Sequence, residues 1–404
     1  MKRAVIQWPR LGPYHIARLR ATQTLLSREG IELIALETAS TDSVYAWREE
    51  NREESFERVQ VFPGRTFESI APAEMHAGVT QALNRIAPDA VAIHTYSFPD
   101  SRACVNWCRE NRKGAVVMTD SKADDAPRSA PREWIKGSLL SAYDAAVTAG
   151  SSSRDYLMSL GVGEAGIQLG YDVVDNAYFS GRAAVASRPA DTGSTPYFLA
   201  SNRFIARKNL DVLLAAFARY RTQAELESRT PWNLVMLGDG AQRAQLEALA
   251  GSGVFFPGFR QIDELPAYYA HAGAFVHTAL VDQWALVINE AMASGLPIIA
   301  STGAGATRDL VRDGRNGFSF SPTDGEALTD RMTEMATADV VAMGQESLKI
   351  ISEWGPDLFA SSMLKALRYA AAAGDRPFPI AQRALLTTMR LATRSTTSFH
   401  TIES

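Results

Sequence analysis

Short apolar segments alternate with longer amphipathic stretches along most of the chain, and this alternation is the feature that most constrains its fold. Segments 4–7, 32–36 and 90–93 are short, mostly apolar runs, and stretches 15–29, 73–86 and 99–112 have helical periodicity. Continuous apolar strands separated by helices are typical of parallel sheets that are covered on both faces. The sequence therefore predicts an α/β protein.

The alternation is interrupted once and then resumes, which indicates two domains of similar size. Residues 182–196 are rich in Ala, Ser, Thr and Pro without a clear period and predict a linker. We therefore expect two Rossmann-like domains facing across a cleft, at 1–181 and 197–355. A long helical tract follows and is interrupted at Gly355-Pro356, so we expect a crossover helix at 356–375 that returns to the N-terminal domain.

Composition excludes several classes of protein. The net charge of -4 gives no basic field for nucleic acid, and the 2 cysteines, Cys104 and Cys108, cannot form a disulfide framework. Their spacing in a helical stretch predicts two buried thiols rather than a metal site. No apolar run is long enough for a signal peptide or a membrane span. We therefore expect a cytoplasmic protein.

The C-terminal extension, residues 376–404, differs from the rest of the chain. It carries Arg376, Arg383, Arg390 and Arg394 and has no acidic residue before Glu403. Residues 379–394 predict either a basic amphipathic helix that contacts an anionic membrane surface from the inner side, or a helix packed on the body of the protein.

Two segments of the second domain carry charged residues where ligands bind in such folds. In segment 278–300, Asp282 precedes a helix that begins near Trp284 to Leu286, and Glu290 lies on that helix. In segment 198–217, Arg203 and Lys208 follow a strand and precede another helix. Two cations beside a helix N-terminus suit a diphosphate group. The alternatives are that Asp282 only caps the helix and that the basic loop is only solvated.

These segments resemble the retaining GT-B glycosyltransferases of family 4, also called glycosyl transferases group 1. The family pattern has Gly-Arg ahead of a Lys and then Glu-x7-Glu, and the corresponding residues here are Asn202-Arg203, Lys208, Asp282 and Glu290. Further similarity lies in Leu286-Val287 and in the segments 237–240, 255–259 and 309–318. The resemblance covers about residues 196–335. Asn202, Asp282 and Ala285 stand where the family has Gly, Glu and Gly.

The resemblance implies a role for each matching residue. Arg203 and Lys208 would hold the diphosphate of a nucleotide-sugar, with added hydrogen bonds from the amides of Leu286 and Val287. Glu290 would bind the ribose hydroxyls. The segment ending at Phe259 would lie along the base, and Asp282 would face the donor sugar.

The first domain resembles the family more loosely. Gly12 corresponds to a glycine-containing loop that contacts the donor in the family. His15 and His94 are expected on the acceptor side. Asp120, Ser121 and Lys122 follow a strand at a place where the family often has a histidine, and they are also acceptor-side candidates.

The sequence therefore predicts a metal-independent, retaining glycosyltransferase without a cofactor. It would move a sugar from a nucleoside diphosphate to a hydroxyl of a glycan, glycolipid or small glycoside. A D-x-D string, typical of metal-dependent transfer, does not occur. The segment beginning Gly303-Ala304-Gly305 lacks the third glycine of a dinucleotide fingerprint, which argues against a dehydrogenase. Two alternatives remain open, an inactive nucleotide-sugar-binding subunit or sensor and a sugar-nucleotide epimerase.

Overall fold

The computed structural model describes residues 1–41 and 54–374, and it divides the chain into two compact units. Of the described residues, the first unit contains 1–41, 54–173 and 356–374, and the second contains 174–355. The C-terminal extension that we singled out from the sequence lies outside the described residues.

The first unit is built from alternating strands and helices. In chain order they are β1 (Arg3–Trp8), α1 (Pro13–Arg28), β2 (Glu32–Thr41), β3 (Glu57–Thr66), α2 (Pro72–Ile86), β4 (Ala90–His94), α3 (Pro99–Glu110), β5 (Gly114–Thr119), α4 (Ala130–Leu140), β6 (Ala145–Thr148), α5 (Ser151–Ser159) and β7 (Ile167–Leu169).

The second unit repeats the alternation. Its elements are α6 (Asn176–Ala183), β8 (Tyr197–Ser201), α7 (Leu210–Leu226), β9 (Asn233–Leu237), α8 (Arg243–Leu249), β10 (Val254–Gly258), α9 (Leu265–Ala270), β11 (Ala274–His277), α10 (Leu286–Ala293), β12 (Ile298–Ser301), α11 (Gly305–Leu310), β13 (Gly317–Phe320), α12 (Gly325–Thr337) and α13 (Val340–Ile351). Helix α14 (Pro356–Ala373) then belongs to the first unit.

Both sheets are parallel and have the same strand order over their shared strands. The first sheet runs β3-β2-β1-β4-β5-β6-β7, and the second runs β10-β9-β8-β11-β12-β13. In each sheet the order reverses once, between β1 and β4 and between β8 and β11. Parallel sheets with helices on both faces are what the continuous apolar strands predict, and the α/β prediction is confirmed.

The cores explain why the strands are apolar throughout. In the first unit, one face packs against α1 and α14, with Ile6, Phe359 and Met363 fully buried, and the other packs against α2 and α3. Helix α14 lies so close to β5 that a Cβ atom on Gly114 would be 2.6 Å from the Ala370 backbone. The last described helix is therefore part of the first unit's core.

Several elements differ from the sequence expectations. Strands β3, β7 and β13 were not predicted, because Gln60, Gln168 and Ser319 interrupt their apolar runs. The segment expected as a linker begins inside α6 and contains a 3₁₀ turn at 190–192, with Thr192 buried. The two units divide at Val173, before α6, because α6 packs on α9 and α10.

Candidate active site

The reversal of strand order places a crevice at the carboxyl edge of each sheet. In open α/β sheets, ligands bind where neighbouring strands send their chains to opposite sides. In the second unit, these strands are β8, which leads to Arg203 and Lys208, and β11, which leads to Asp282. In the first unit they are β1, which leads to Gly12, and β4, which ends at His94. The topology thus brings predicted site residues to the reversal point of each sheet.

The loop that carries Arg203 is held by close backbone contacts with the loop after β9. Phe204 N–H donates to the Asp239 carbonyl over 2.8 Å, and Asn202 N–H donates to the Leu237 carbonyl over 3.0 Å. Gly238 has φ 124, and a Cβ atom there would be 1.8 Å from the Asn202 oxygen. Only glycine fits at this position, so the 237–240 segment supports the Arg203 loop.

Lys208, Asp282 and His277 form a compact charged cluster. Lys208 Nζ lies 2.5 Å from Asp282 Oδ2, and His277 Nε2 lies 3.1 Å from the same oxygen. The Lys208 and Asp282 side chains are largely buried, and His277 is fully buried. Both contacts use Oδ2, and no hydrogen bond to Oδ1 occurs in the described part of the chain. A carboxylate held in this way retains one oxygen for a ligand.

Electrostatics fix the charges of this cluster. Burial alone would raise the pKa of the Asp282 carboxyl, but the Lys208 ammonium and the hydrogen bond from His277 outweigh it and hold that pKa far below its usual range. Burial, supported by the nearby Lys208 charge, lowers the pKa of His277. At neutral pH the cluster therefore contains an ammonium, a carboxylate and a neutral imidazole that donates from Nε2.

Helix α10 begins at Leu286, beside this cluster. Its N-cap residue is Ala285, in the left-handed region at φ 80 and ψ 73, and no side chain caps the helix. The alternative in which Asp282 is only a helix cap is therefore wrong, since its side chain is bound by Lys208 and His277. The amides of Leu286 and Val287 lie in the first turn, where N–H groups have no partner within the helix. They are therefore placed to donate to an anion.

Glu290 and Phe259 lie farther along the same edge and differ in exposure. Glu290 is 2% exposed, and its Oε2 accepts a hydrogen bond from Tyr269 Oη over 2.8 Å. Its carboxylate is thus fixed by α9, and its contact with a ribose stays a prediction. Phe259 follows β10 with its ring 42% exposed, which suits a residue expected beside a nucleotide base.

In the first unit, Gly12 and His15 form the start of α1. Gly12 is the N-cap residue, and its N–H donates to His15 Nδ1 over 3.0 Å. The His15 ring stacks on Trp8 with centroids 4.7 Å apart. Burial, together with the charge of Arg18, lowers the pKa of His15 well below its ordinary value. His15 therefore has a structural part in the loop, and a contact with an acceptor remains a prediction.

His94 is joined to two residues that the sequence analysis did not select. His94 Nδ1 lies 2.8 Å from Tyr171 Oη, and Trp8 Nε1 donates to the same oxygen over 3.1 Å. Burial and the Arg18 charge lower the pKa of His94 to about 4. These three side chains form one hydrogen-bonded chain at the carboxyl edge of the sheet.

In the loop after β5, the charged side chain of Lys122 is bound by another residue of the same loop. Lys122 is buried, and its ammonium is 2.7 Å from Asp124. The Asp120 carbonyl accepts from Ser153, and Ser121 N–H donates to Thr119. The Asp120 and Ser121 side chains remain acceptor-side candidates, whereas Lys122 is bound within its own loop.

Three residues that orient the predicted ones, His277, Trp8 and Tyr171, are not marked by the sequence. His277 ends an apolar run, and Trp8 lies in the N-terminal stretch without a motif around it. Tyr171 is distant from His94 in sequence, so only the strand order of the sheet brings them together. Glu37 is not marked by the sequence either. It is fully buried, accepts from Leu11 N–H over 2.7 Å and so holds the loop before Gly12.

Residues 1–41 and 54–374 contain neither a metal-binding cluster nor a membrane-spanning helix. These residues contain no group of three His, Cys, Asp or Glu side chains arranged to hold a metal ion. Within the same ranges, no helix has the length and apolar character needed to cross a membrane.

Comparisons with known proteins relate the second unit to one family. Residues 187–347 match the family model described as glycosyl transferases group 1. A GDP-mannose-dependent alpha-mannosyltransferase of Mycobacterium tuberculosis is 43% identical over 85 residues, covering 21% of this chain and 22% of the relative. Another M. tuberculosis protein, a GDP-mannose-dependent alpha-(1-6)-phosphatidylinositol monomannoside mannosyltransferase, is 29% identical over 195 residues, covering 44% and 48%. The chain thus spans less than half the length of these curated relatives.

Solved structures extend the similarity to the whole fold. The Anabaena protein HepE, crystallised with UDP and glucose, has a TM-score of 0.69 at 16% identity, covering 91% of this chain and all of HepE. The predicted GT-B fold class, with two Rossmann-like units, is confirmed. Over residues 187–347, the chain matches the glycosyl transferases group 1 family model.

Proposed function

From this match and the geometry of the site, we propose that the protein is a retaining glycosyltransferase that uses a nucleoside-diphosphate-sugar and needs no metal ion. The observation that carries the proposal is the cluster of Lys208 and Asp282 at the strand-order reversal, beside the first turn of α10. A diphosphate needs fixed positive charge, and Arg203, Lys208 and the α10 amides supply it without a metal.

Lys208 can serve Asp282 and a phosphate at the same time. An ammonium has three N–H donors, and one of them is used on Asp282 Oδ2. The remaining donors are sufficient for a diphosphate oxygen. Asp282 Oδ1 would accept a hydroxyl of the donor sugar, while His277 holds the carboxylate through Oδ2. Asp is one methylene shorter than the Glu of the family pattern, and His277 fixes the position of this shorter side chain.

The proposed reaction begins at the anomeric carbon of the donor. The bond from that carbon to the diphosphate oxygen breaks, and the leaving diphosphate carries the electron pair toward Arg203 and Lys208. An acceptor hydroxyl then bonds to the carbon on the same face and gives its proton to a diphosphate oxygen. The products are a glycoside with retained configuration and a nucleoside diphosphate. The negative charge of Asp282 would stabilise the positive charge that develops on the sugar.

The relatives suggest classes of substrate without identifying one. Two M. tuberculosis relatives are named for GDP-mannose, and HepE was crystallised with UDP and glucose. UDP-, GDP- and ADP-sugars are therefore all candidate donors. We propose the first unit as the acceptor side, with a glycan, glycolipid or small glycoside as acceptor. We also propose a cytoplasmic location, with peripheral membrane contact by residues 376–404 as an extension of this proposal.

A second candidate function is nucleotide-sugar binding without transfer. It is favoured by Ala285, which occupies a left-handed conformation where the family pattern has glycine. The methyl group of Ala285 reduces the space through which a phosphate could reach the α10 amides.

The test begins with UDP-glucose, GDP-mannose and ADP-glucose in thermal-shift measurements. A true donor at 100 times its Kd should stabilise the protein by about 2.7 kcal/mol. The stabilising donor is then incubated with sugar acceptors, and NMR of the product gives its anomeric configuration. Retained configuration supports the proposal, whereas inversion contradicts it. Stabilisation without transfer or donor hydrolysis favours the binding protein.

A further inference from the structure

The first unit contains a hydrogen-bonded chain whose geometry determines where His94 carries its proton. Trp8 ends β1, His94 ends β4, and Tyr171 follows β7 by two residues. Trp8 and Tyr171 are buried, and His94 is partly exposed. The hydrogen-bonded chain of Trp8, Tyr171 and His94 therefore leads from two buried side chains to a partly exposed imidazole.

The direction of each hydrogen bond follows from the chemistry of the three groups. An indole N–H can only donate, so Tyr171 Oη accepts from Trp8 Nε1. In the described part of the chain, Tyr171 Oη has no third hydrogen-bond partner. Its own proton is therefore directed to His94 Nδ1, 2.8 Å away. His94 Nδ1 is the acceptor, and the ring proton lies on Nε2.

The surroundings keep this imidazole neutral and fixed. The Arg18 guanidinium lies over the Tyr171 ring, 5.2 Å from its centroid, and is held by Asp172 and the Val173 carbonyl. A cation at this place opposes protonation of His94. The His94 backbone is also held, because its N–H donates to Gln7 and its carbonyl accepts from the Ser101 hydroxyl.

We infer that Trp8 and Tyr171 are positioning residues that lock His94 in its neutral Nε2–H form, and that His94 donates this hydrogen bond to an oxygen of the acceptor substrate. The acceptor part of this inference rests on the proposed function. A neutral imidazole that carries its proton on Nε2 cannot take a proton there. His94 is thus a donor that orients the acceptor, and the acceptor hydroxyl must give its proton to another group, as the diphosphate does in the proposed reaction.

The lock can be tested without any substrate. Long-range ¹H–¹⁵N spectra distinguish the two neutral tautomers from the charged imidazolium, and the His94 signals are identified among those of the 6 histidines by their loss in His94→Gln. We expect the wild-type protein to show His94 as the Nε2–H tautomer at pH 7. Tyr171→Phe should give a mixture of tautomers, because Nδ1 loses its hydrogen-bond donor. The Nδ1–H tautomer or a charged ring in the wild type would overturn the lock.

The role toward the acceptor is tested by two replacements that place an amide N–H differently. The glutamine side-chain nitrogen lies near the position of imidazole Nε2, and that of asparagine lies near Nδ1. We expect His94→Gln to retain most of kcat and His94→Asn to lose roughly 10-fold or more, with the KM for the donor unchanged. Tyr171→Phe should lower kcat by a smaller factor, because part of the tautomer mixture still carries its proton on Nε2. Tyr143→Phe, which removes a hydroxyl from a backbone contact with Thr95 on the other face of the sheet, is the matched control.

The outcomes separate this inference from the proposed function. Equal kcat values for His94→Asn, His94→Gln and the wild type would overturn the role of His94. Absence of transfer from every donor would overturn the proposed function and the acceptor role together, while the tautomer lock would still be decided by the spectra. A variant that unfolds is recognised by its lost dispersion of NMR signals, and the wild-type spectrum alone then decides the lock.

Discussion

The two sheets place different chemistry at the same topological position. At the reversal in the second unit, Lys208 and Asp282 carry full charges, and a neutral His277 supports them. At the reversal in the first unit, the residues in contact are Trp8, Tyr171 and a neutral His94. One edge presents charged side chains and the other a neutral imidazole, so a common strand order does not determine the chemistry of each edge.

The two edges also differ in how they are held. In the second unit, loops approach each other through backbone atoms, and this needs glycine at 238 and at 303, where a Cβ atom would be 2.3 Å from the Leu280 oxygen. In the first unit, long side chains make the connections, as Glu37 does to Leu11 and Arg58. Backbone contacts thus position the loops of the second edge.

The largest effect is expected from removing the charge of the second edge. Lys208→Ala and Arg203→Ala should each lower kcat/KM by roughly 10²-fold or more, because each removes a fixed charge from the leaving diphosphate. Steady-state kinetics with the identified donor measures this. Lys349→Ala is the control, since Lys349 is an exposed lysine on α13 whose side chain is 75% accessible. Normal turnover in both single variants would place the diphosphate elsewhere.

Removing the charge of Asp282 should lower turnover less than removing the charge of Arg203 or Lys208. Asp282→Asn keeps the shape of the side chain but removes the negative charge beside the developing cationic carbon. We expect turnover to fall at least about 10-fold, with little change in the affinity for the nucleoside diphosphate. Kinetics and calorimetry together check both statements. Wild-type kinetics in the Asn variant would contradict the role given to the carboxylate.

The sequence predicted the charged edge better than the uncharged one, for a physical reason. Arg203, Lys208 and Asp282 lie in short segments between a strand and a helix, so local order alone brings them to the sheet edge. Tyr171 meets His94 only through the order of the strands, which no local pattern encodes. His277 was hidden because a histidine at the end of an apolar strand has the periodicity of a core residue. Strand β3 was missed because its intermediate burial gives no continuous apolar run.

The left-handed conformation of Ala285 predicts a measurable effect on stability at the second edge. Its left-handed conformation costs a non-glycine residue roughly 1–2 kcal/mol. Ala285→Gly should therefore raise the free energy of unfolding by about 1 kcal/mol, although glycine also gains freedom in the unfolded chain. Chemical denaturation monitored by circular dichroism measures the change. Ala291→Gly, in the right-handed part of α10, is the matched control and should destabilise by a similar amount. Loss of stability in Ala285→Gly would show that no strain is stored there.

Because His94 is neutral in the folded protein, the free energy of unfolding should depend on pH. The pKa of His94 is about 4 in the folded protein, against an ordinary value of 6.5. Between these values the unfolded chain binds more protons, so stability falls as the pH falls from 6.5 to 4. His94→Gln should reduce this fall. Asp100 acts in the opposite direction, because burial raises its pKa to about 6.

This pH dependence is measured by urea denaturation at intervals between pH 4 and 6.5. Asp100→Asn, which lies on the same sheet edge, should make the fall steeper and so gives a control of opposite sign. An unchanged slope in His94→Gln would mean that His94 is not held neutral in the folded protein.

The smallest effect is expected from removing metal ions. Because the cations and amides of the second edge can neutralise a diphosphate, turnover should persist in excess EDTA. The same assay with added magnesium or manganese provides the comparison. Complete loss of activity in EDTA, restored by either ion, would contradict metal independence.

Helix α14 has a consequence for the order in which the protein can be made. It is encoded after the whole second unit, yet Phe359, Met363 and Leu367 complete the core of the first. At about 5–20 residues per second, the ribosome needs roughly 10–40 s to synthesise the second unit. During that time one face of the first sheet is covered by α1 alone. The unit that emerges first is therefore finished last. We expect it to be the part of the nascent chain that most needs protection from aggregation.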